Sequence, residues 1–205
     1  MTPGTPDADV DAEAPHERDR RELLRRGIAL GGAAVAASSV PLLASVRDAF
    51  AQATGDAAIL QKAINLEQVA VIAYDTALGG GLLSPAASRT MRRFRDHEQR
   101  HADTLTTALT DLGGSPPPPP KGIADVDKVV KGLGDVKTQA DIVNVMIELE
   151  LATVAAYHEA HRNLVETRLL QTCATITANE GQHLVVLRTI VGDDPVPNAF
   201  ETGTT

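Results

Sequence analysis

The chain has 205 residues and a formal net charge of −8, and aromatic side chains make up only 2% of it. Its length suffices for one domain with a sizeable core. The acidic balance disfavours nucleic acid as a partner, and the scarcity of aromatic residues favours packed helices over a β-sheet. Cys173 is the single cysteine, which excludes an intramolecular disulfide.

Residues 1–53 are expected to precede the folded domain. Residues 1–17 are polar and rich in Pro, Asp and Ala, a composition typical of disorder. A basic run at 20–26 begins with paired arginines and is followed by an apolar run at 27–46 and by overlapping Ala-x-Ala motifs between residues 49 and 53. This order of segments resembles a twin-arginine signal peptide, which implies export to the periplasm or the extracellular space.

A retained membrane anchor is the alternative interpretation of the same segment. The apolar run is long enough to cross a bilayer, which takes about 20 residues. However, Gly31, Gly32 and Pro41 lie within it and make it a poor spanning helix. Contact with a membrane is therefore expected only if the signal is not cleaved.

Four amphipathic helices are predicted between residues 54 and 192, because apolar side chains recur there with a 3.6-residue period. The expected helices cover residues 56–78, 84–112, 138–162 and 167–191. Ser84 followed by Pro85 is typical of a helix start. Thr138 with Asp141 resembles a capping box, and glycines follow the ends of the first, second and fourth helices.

The lengths of the connections predict the topology. The links within the first pair and within the second pair of helices are short, so each pair should form an antiparallel hairpin. The link between the pairs contains five prolines at 116–120 and a short predicted helix near 126–133, and it can traverse the length of a helix. We therefore expect an all-α four-helix bundle with one long crossover, followed by a flexible tail at 193–205.

A two-fold repeat of potential metal ligands runs through the four helices. Each copy has a Glu with a Tyr seven residues later, and then a Glu-x-x-His. The copies are Glu67, Tyr74, Glu98 and His101, and Glu150, Tyr157, Glu180 and His183. Because residues i and i+3 project from one helix face, each Glu-x-x-His can reach a single ion. Buried unpaired carboxylates are costly, so the repeat predicts a site for two iron or manganese ions.

With these ligand positions, residues 56–191 resemble the ferritin-like di-metal carboxylate proteins. The resemblance implies two bridging ligands, Glu98 and Glu180, two terminal carboxylates, Glu67 and Glu150, and one imidazole for each ion, His101 and His183. It also implies an oxidoreductase activity, which is either oxidation of Fe(II) or consumption of peroxide. The partner molecules would be oxygen or peroxide.

The neighbours of these ligands depart from the Asp-Glu-x-Arg-His pattern found in many di-iron enzymes of this fold. His97 replaces the Asp in the first copy, and Asn179 replaces it in the second. The Arg is kept in the first copy as Arg100, but the second copy has Gln182 at that position. The Asp of that pattern orients a ligand His through its second nitrogen. Asn179 can do so as an acceptor, and His97 can in one tautomer. The contacts expected around the ligand histidines therefore differ from those of such enzymes.

Several alternatives stay open from the sequence. Tyr74 and Tyr157 are either core side chains with a bonded hydroxyl or hydrogen-bond partners of the metal ligands, and Glu148 is a fallback ligand for Glu150. The bundle could be a non-enzymatic structural or stress-protection protein whose metal is absent or structural. A haem-binding bundle is disfavoured by the paired glutamates. A homo-oligomer is compatible with the sequence, although nothing in it indicates a cage.

Overall fold

The structure of the protein is a computed structural model that describes residues 39–122 and 132–203. These residues belong to one contact unit, Val35–Thr205, and they contain helices but no strand. The helices are α1 Ser39–Ala51, α2 Asp56–Gly79, α3 Pro85–Asp111, α4 Gln139–Asn163 and α5 Thr167–Val191, with a 3-10 turn at Leu133–Asp135. The basic run at 20–26 and most of the predicted crossover helix lie outside the described residues.

The four predicted helices, α2 to α5, begin and end within one residue of the expected positions. Local capping explains the agreement. The Ser84 hydroxyl accepts a hydrogen bond from the Ala87 N–H at the start of α3, and Thr138 and Asp141 form a reciprocal capping box at the start of α4. Gly192 adopts a left-handed conformation, with φ of 83°, and ends α5.

Hydrogen bonds between helix ends establish the topology. The Asp56 carboxylate at the start of α2 accepts from the backbone N–H groups of Val165 and Glu166, just after α4, so α2 and α4 are antiparallel. The Ser84 N–H donates to Gln139 Oε1 over 2.8 Å, which places the starts of α3 and α4 together. Helices α3 and α4 are therefore parallel, and the all-α bundle with one long crossover is confirmed.

Helix α4 is buried on every side over residues 149–157. In a plain four-helix bundle each helix keeps one face in solvent, and a helix buried all round needs additional cover. Two segments outside the predicted bundle provide it: α1 and the chain that follows α5.

Helix α1 packs against the bundle through Phe50, which is 3% exposed. Phe50 belongs to the same core cluster as Ile59 and Leu60 of α2, and Val46 packs against the cluster that contains Leu151 of α4. These α1 residues lie in the segment whose sequence predicts a signal peptide. None of the helices in the described part of the chain is long and apolar enough to cross a membrane.

The segment after α5 is held at two points. Arg188 donates to Glu201 over 3.0 Å. Gly203 is buried with φ of 71°, and a Cβ added there would overlap the backbone of Leu151 and Ala155. A Gly is needed for both reasons. These contacts tie a segment that the sequence analysis describes as a flexible tail to helices α4 and α5.

Candidate metal centre

Six side chains from four helices converge inside the bundle. They form two groups that share two members, Glu67, Glu98, His101 and Glu180 in one and Glu98, Glu150, Glu180 and His183 in the other. In each group, one ligand atom per residue lies within 4.8 Å of all the others. The structure therefore brings together all six residues that the repeat singles out, with Glu98 and Glu180 between the two histidines.

The cluster is almost completely removed from solvent. Each of the four carboxylates is at most 2% exposed, and His183 is 1% exposed. His101 is the exception, with 12% of its side chain exposed. Burial of carboxylates at this density is strongly unfavourable unless cations compensate for their charge.

His101 faces three carboxylates through a single nitrogen. Its Nδ1 lies 3.0 Å from Glu180 Oε1, 3.2 Å from Glu98 Oε2 and 3.5 Å from Glu67 Oε2. A ring nitrogen carries at most one proton, so it can donate a hydrogen bond to only one of them. One nitrogen and three carboxylate oxygens thus surround one position.

His183 has the matching arrangement at the other end. Its Nδ1 lies 3.1 Å from Glu98 Oε1, 3.2 Å from Glu180 Oε2 and 3.3 Å from Glu150 Oε1. The two positions are therefore built from the same types of ligand, with one unshared Glu and one His each.

The charges of the cluster act strongly on one another in the metal-free protein. Burial disfavours the charged form of His101, but contacts with Glu180, Glu67 and Glu98 outweigh it and raise the pKa of His101 to about 12. Burial raises the pKa of Glu150 to about 8 and raises that of Glu67 well above its ordinary value. Without metal, protonated imidazole and protonated carboxyl groups provide the compensation that the buried charges need.

The pKa values of His183 and Glu180 are shifted by contacts of the same kind. Burial opposes the charged form of His183, but Glu150, Glu180 and Glu98 raise its pKa above the usual value. Burial and Glu98 act to raise the pKa of Glu180, but contacts with His101 and His183 lower it overall. Each imidazole thus takes the place of a cation between carboxylates.

A metal is the species that best fits the atoms this cluster leaves unpaired. Within the described residues, the buried ligand atoms that make no hydrogen bond are Glu67 Oε2, Glu98 Oε1, both Glu180 oxygens and His183 Nδ1. Buried polar atoms are normally hydrogen-bonded, so a concentration of exceptions needs a cause. Carboxylate oxygens and imidazole nitrogens are ligands for divalent metal ions, so the cluster could hold metal.

Two buried tyrosines hold the unshared carboxylates. The Tyr74 hydroxyl, on α2, donates to Glu150 of α4, and the Tyr157 hydroxyl, on α4, donates to Glu67 of α2. Each Tyr therefore serves the Glu of the other copy of the repeat. Burial raises the pKa of both hydroxyls, and the neighbouring carboxylates add to the effect, so both remain donors.

His97 contacts the imidazole of the other Glu-x-x-His motif. Its Nδ1 lies 2.9 Å from His183 Nε2. Burial, together with the neighbouring His183, lowers the pKa of His97, which favours its neutral, accepting form. The Phe94 ring stacks on His183 with a centroid separation of 3.9 Å. Phe94 lies one turn before Glu98 on the same helix face. The 3.6-residue period predicts its inward position but not its contact with His183.

The other predicted neighbours of the ligands do not reach the cluster. Asn179 is half-buried, and its side chain makes no hydrogen bond in the part of the chain that the structure describes. Arg100 and Gln182 are exposed. Glu148 belongs to neither ligand group, whereas Glu150 belongs to one.

The sequence model of the ferritin-like domain matches residues 55–193, which is more than half of the chain. The chain belongs to the ferritin-like domain family. A search among curated proteins found no match. The fold of this ferritin-like protein is similar to the crystal structure of a conserved hypothetical protein, rv2844, from Mycobacterium tuberculosis, with a TM-score of 0.58 and 14% sequence identity. The likeness covers 77% of this chain and 99% of that one.

The limits of the family match separate two parts of the ferritin-like protein. All six clustered residues lie within the matched range of 55–193, whereas α1 and the docked residues 201–203 lie outside it. The family match therefore accounts for the helices that carry the cluster. It does not account for the segments that cover α4.

Proposed function

We propose that this ferritin-like protein binds two iron or manganese ions and uses them to oxidise Fe(II) or to consume peroxide. The observation that carries the proposal is the convergence of three carboxylates on each of two imidazole nitrogens inside an apolar bundle. The buried oxygens of Glu180 support it further, because neither makes a hydrogen bond within the described residues.

The sharing of residues between the two groups suggests how the ions would be held. Glu98 and Glu180 belong to both groups and would bridge the ions. Each remaining Glu and His would complete one side, Glu67 with His101 and Glu150 with His183. Bound redox-active ions would supply electron transfer to oxygen or peroxide.

The surrounding residues prepare the cluster for that chemistry. Tyr157 binds Glu67 Oε1 and leaves Oε2 facing His101. Tyr74 binds Glu150 Oε1, the same oxygen that lies 3.3 Å from His183 Nδ1, and so holds that oxygen at the cluster. The imidazole protons must leave when metal binds, because only a neutral ring nitrogen is a ligand. The buried setting excludes bulk water from the carboxylates and so strengthens their hold on a cation.

Metal analysis of the purified protein tests the proposal. After loading with Fe(II) or Mn(II) and gel filtration, about two ions should remain on each chain, and a content below about one would contradict the proposal. The double substitution Glu98→Ala with Glu180→Ala should abolish retention. Glu150→Ala should lower the retained metal. Glu148→Ala is its matched control, because it removes a carboxylate two residues away that belongs to neither group.

A non-enzymatic role is the second candidate, and one observation favours it. The side chain of Asn179, at the position where the Asp of di-iron enzymes orients a ligand His, makes no hydrogen bond within the described residues. One side of the centre thus lacks an orienting contact. Protein with two bound ions should be mixed with Fe(II) and oxygen or peroxide, and formation of Fe(III) followed by absorbance. Bound metal without turnover would favour a structural or protective bundle.

We also propose that the chain is exported, a separate proposal that rests on residues 20–46. Paired arginines before an apolar run support a twin-arginine route, which carries folded proteins. Replacement of Arg20 and Arg21 by Lys should retain the protein in the cytoplasm, as measured by cell fractionation. The same replacement at Arg25 and Arg26 keeps the charge and is the matched control. Equal export of both variants would overturn this route.

A further inference from the structure

The two ends of the metal centre differ in access to solvent. His101 is 12% exposed, and His183 is 1% exposed. The four carboxylates are at most 2% exposed. Among the six ligands, His101 is therefore the one whose side chain reaches the surface.

The His183 ring is held from outside the centre. Its Nε2 lies 2.9 Å from His97 Nδ1, and the two rings are nearly parallel, with 15° between their planes. Phe94 stacks on the same ring at 3.9 Å between centroids. If Nδ1 ligates an ion, Nε2 carries the proton and donates it to His97, so this contact also selects the ligating tautomer.

The His101 ring has no equivalent support within the described residues. Its Nδ1 faces the carboxylates, but no hydrogen bond is found for its Nε2 and no aromatic ring stacks on it. Asn179 occupies the position in the second motif that His97 occupies in the first, one residue before the Glu. Its side chain leaves His101 without the contact that His97 gives to His183.

We propose that the two metal positions are unequal, such that the position at His183 retains its ion and the position at His101 exchanges its ion with solvent. His97 is the positioning residue that sets the difference. The inference rests on the proposed function, since it assumes that metal binds. Its chemical consequence is that Fe(II) arriving as substrate enters at His101, while the ion at His183 stays resident.

Release of a spectroscopic probe ion from the full chain tests the inference. Co(II) absorbs visible light according to its ligands, so two equivalents can be loaded and their removal by excess chelator followed by absorbance. Two phases of equal amplitude are expected. His101→Ala should remove the fast phase and leave the slow phase, because it disrupts only the exposed position.

The role of His97 has its own readout in the same experiment. His97→Ala should accelerate the slow phase by about 10- to 100-fold and leave the fast phase unchanged. His97→Asp should restore slow release, because its carboxylate still accepts the His183 Nε2 proton. Asn179→Ala is the matched control and should change neither phase, with far-UV circular dichroism confirming the fold of each variant.

Each contrary result has a distinct meaning. If no Co(II) binds, the proposed function fails along with the inference. If two Co(II) ions bind and leave in one phase, the inequality is wrong while metal binding stands. If Asn179→Ala accelerates slow release as much as His97→Ala does, the assignment of His97 as the positioning residue is wrong.

Discussion

The two hairpins, α2–α3 and α4–α5, carry the same set of ligands in different surroundings. Each contributes a Glu, a Tyr and a Glu-x-x-His at nearly the same offsets. Helix α3 keeps a solvent-exposed face that includes Arg92 and Arg93, whereas α4 is buried on every side over residues 149–157. The position of a ligand thus depends on helix periodicity, which both hairpins share, and not on how much protein surrounds the helix.

The two hairpins also differ in how far their imidazoles reach solvent. The hairpin that α1 and the C-terminal segment cover also carries the sealed imidazole, His183, while the exposed imidazole, His101, lies on α3. The repeat therefore produces a centre that is symmetric in its ligands and asymmetric in its contact with solvent. Three measurements can separate these two properties.

A change of pH should have the largest effect on the free energy of unfolding, because it acts on the imidazoles of both hairpins. The pKa of His101 rises from 6.5 to about 12 in the folded protein, and that of His183 is raised in the same direction. The stabilisation that a raised imidazole pKa gives to the fold is complete below about pH 6.5. It is lost as the pH rises toward the pKa of the imidazole in the folded protein. Metal-free protein should lose about 1.4 kcal/mol of unfolding free energy per pH unit for each imidazole.

Urea unfolding of chelator-treated protein between about pH 6 and about pH 9 checks this slope. The raised pKa of Glu150, about 8, acts with the same sign up to that pH. Metal affinity should change in the opposite direction and rise with pH, because ligation requires neutral imidazoles. A metal-free protein whose stability is constant or increases over this range would contradict the charge arrangement described for the cluster.

The next largest effect should come from Phe50, which tests the cover on the second hairpin. Phe50→Ala should lower the unfolding free energy of the full chain by about 3–5 kcal/mol, because the ring is 3% exposed. Phe200 is 85% exposed, so Phe200→Ala should cost less than about 0.5 kcal/mol. Urea unfolding measures both, and equal small effects would show that α1 does not pack on the bundle in solution.

A smaller effect should come from Tyr74 and Tyr157, each of which donates a hydrogen bond to the Glu of the other hairpin. Tyr74→Phe and Tyr157→Phe each leave a buried carboxylate oxygen without its donor. Each should cost about 1–3 kcal/mol in metal-free protein. The costs should be similar, but the double variant should depart from additivity, because Glu67 and Glu150 both interact with Glu180. A clear inequality in urea unfolding would indicate that the two copies also differ at their terminal carboxylates.

Local signals explain how much of this molecule could be predicted from its sequence. Helices α2 to α5 begin and end where capping residues such as Ser84 and Thr138 place them. The six clustered residues follow from the 3.6-residue period and the i, i+3 spacing. Both kinds of signal lie within a single helix, so no knowledge of packing is required.

Contacts between helices could not be predicted in the same way. The pairing of Tyr74 with Glu150 depends on the offset between antiparallel α2 and α4, and the contact of His97 with His183 depends on the separation of α3 and α5. The docking of α1 was missed for another reason. An apolar run after paired arginines has the same composition whether it enters a membrane or packs on a domain. The apolar character of residues 149–157 on all sides was the available signal that α4 needs cover.

If the chain is exported, as we propose, the fate of helix α1 depends on whether folding or cleavage of the signal peptide comes first. The Ala-x-Ala motifs between residues 49 and 53 surround Phe50, which is buried in the folded protein. A peptidase needs accessible, extended backbone, so it could cut there only before α1 packs. Chains cut early would leave apolar surface of α2 and α4 uncovered, and chains that fold first would keep α1. The N-terminal residue of the recovered protein therefore records whether folding or cleavage came first.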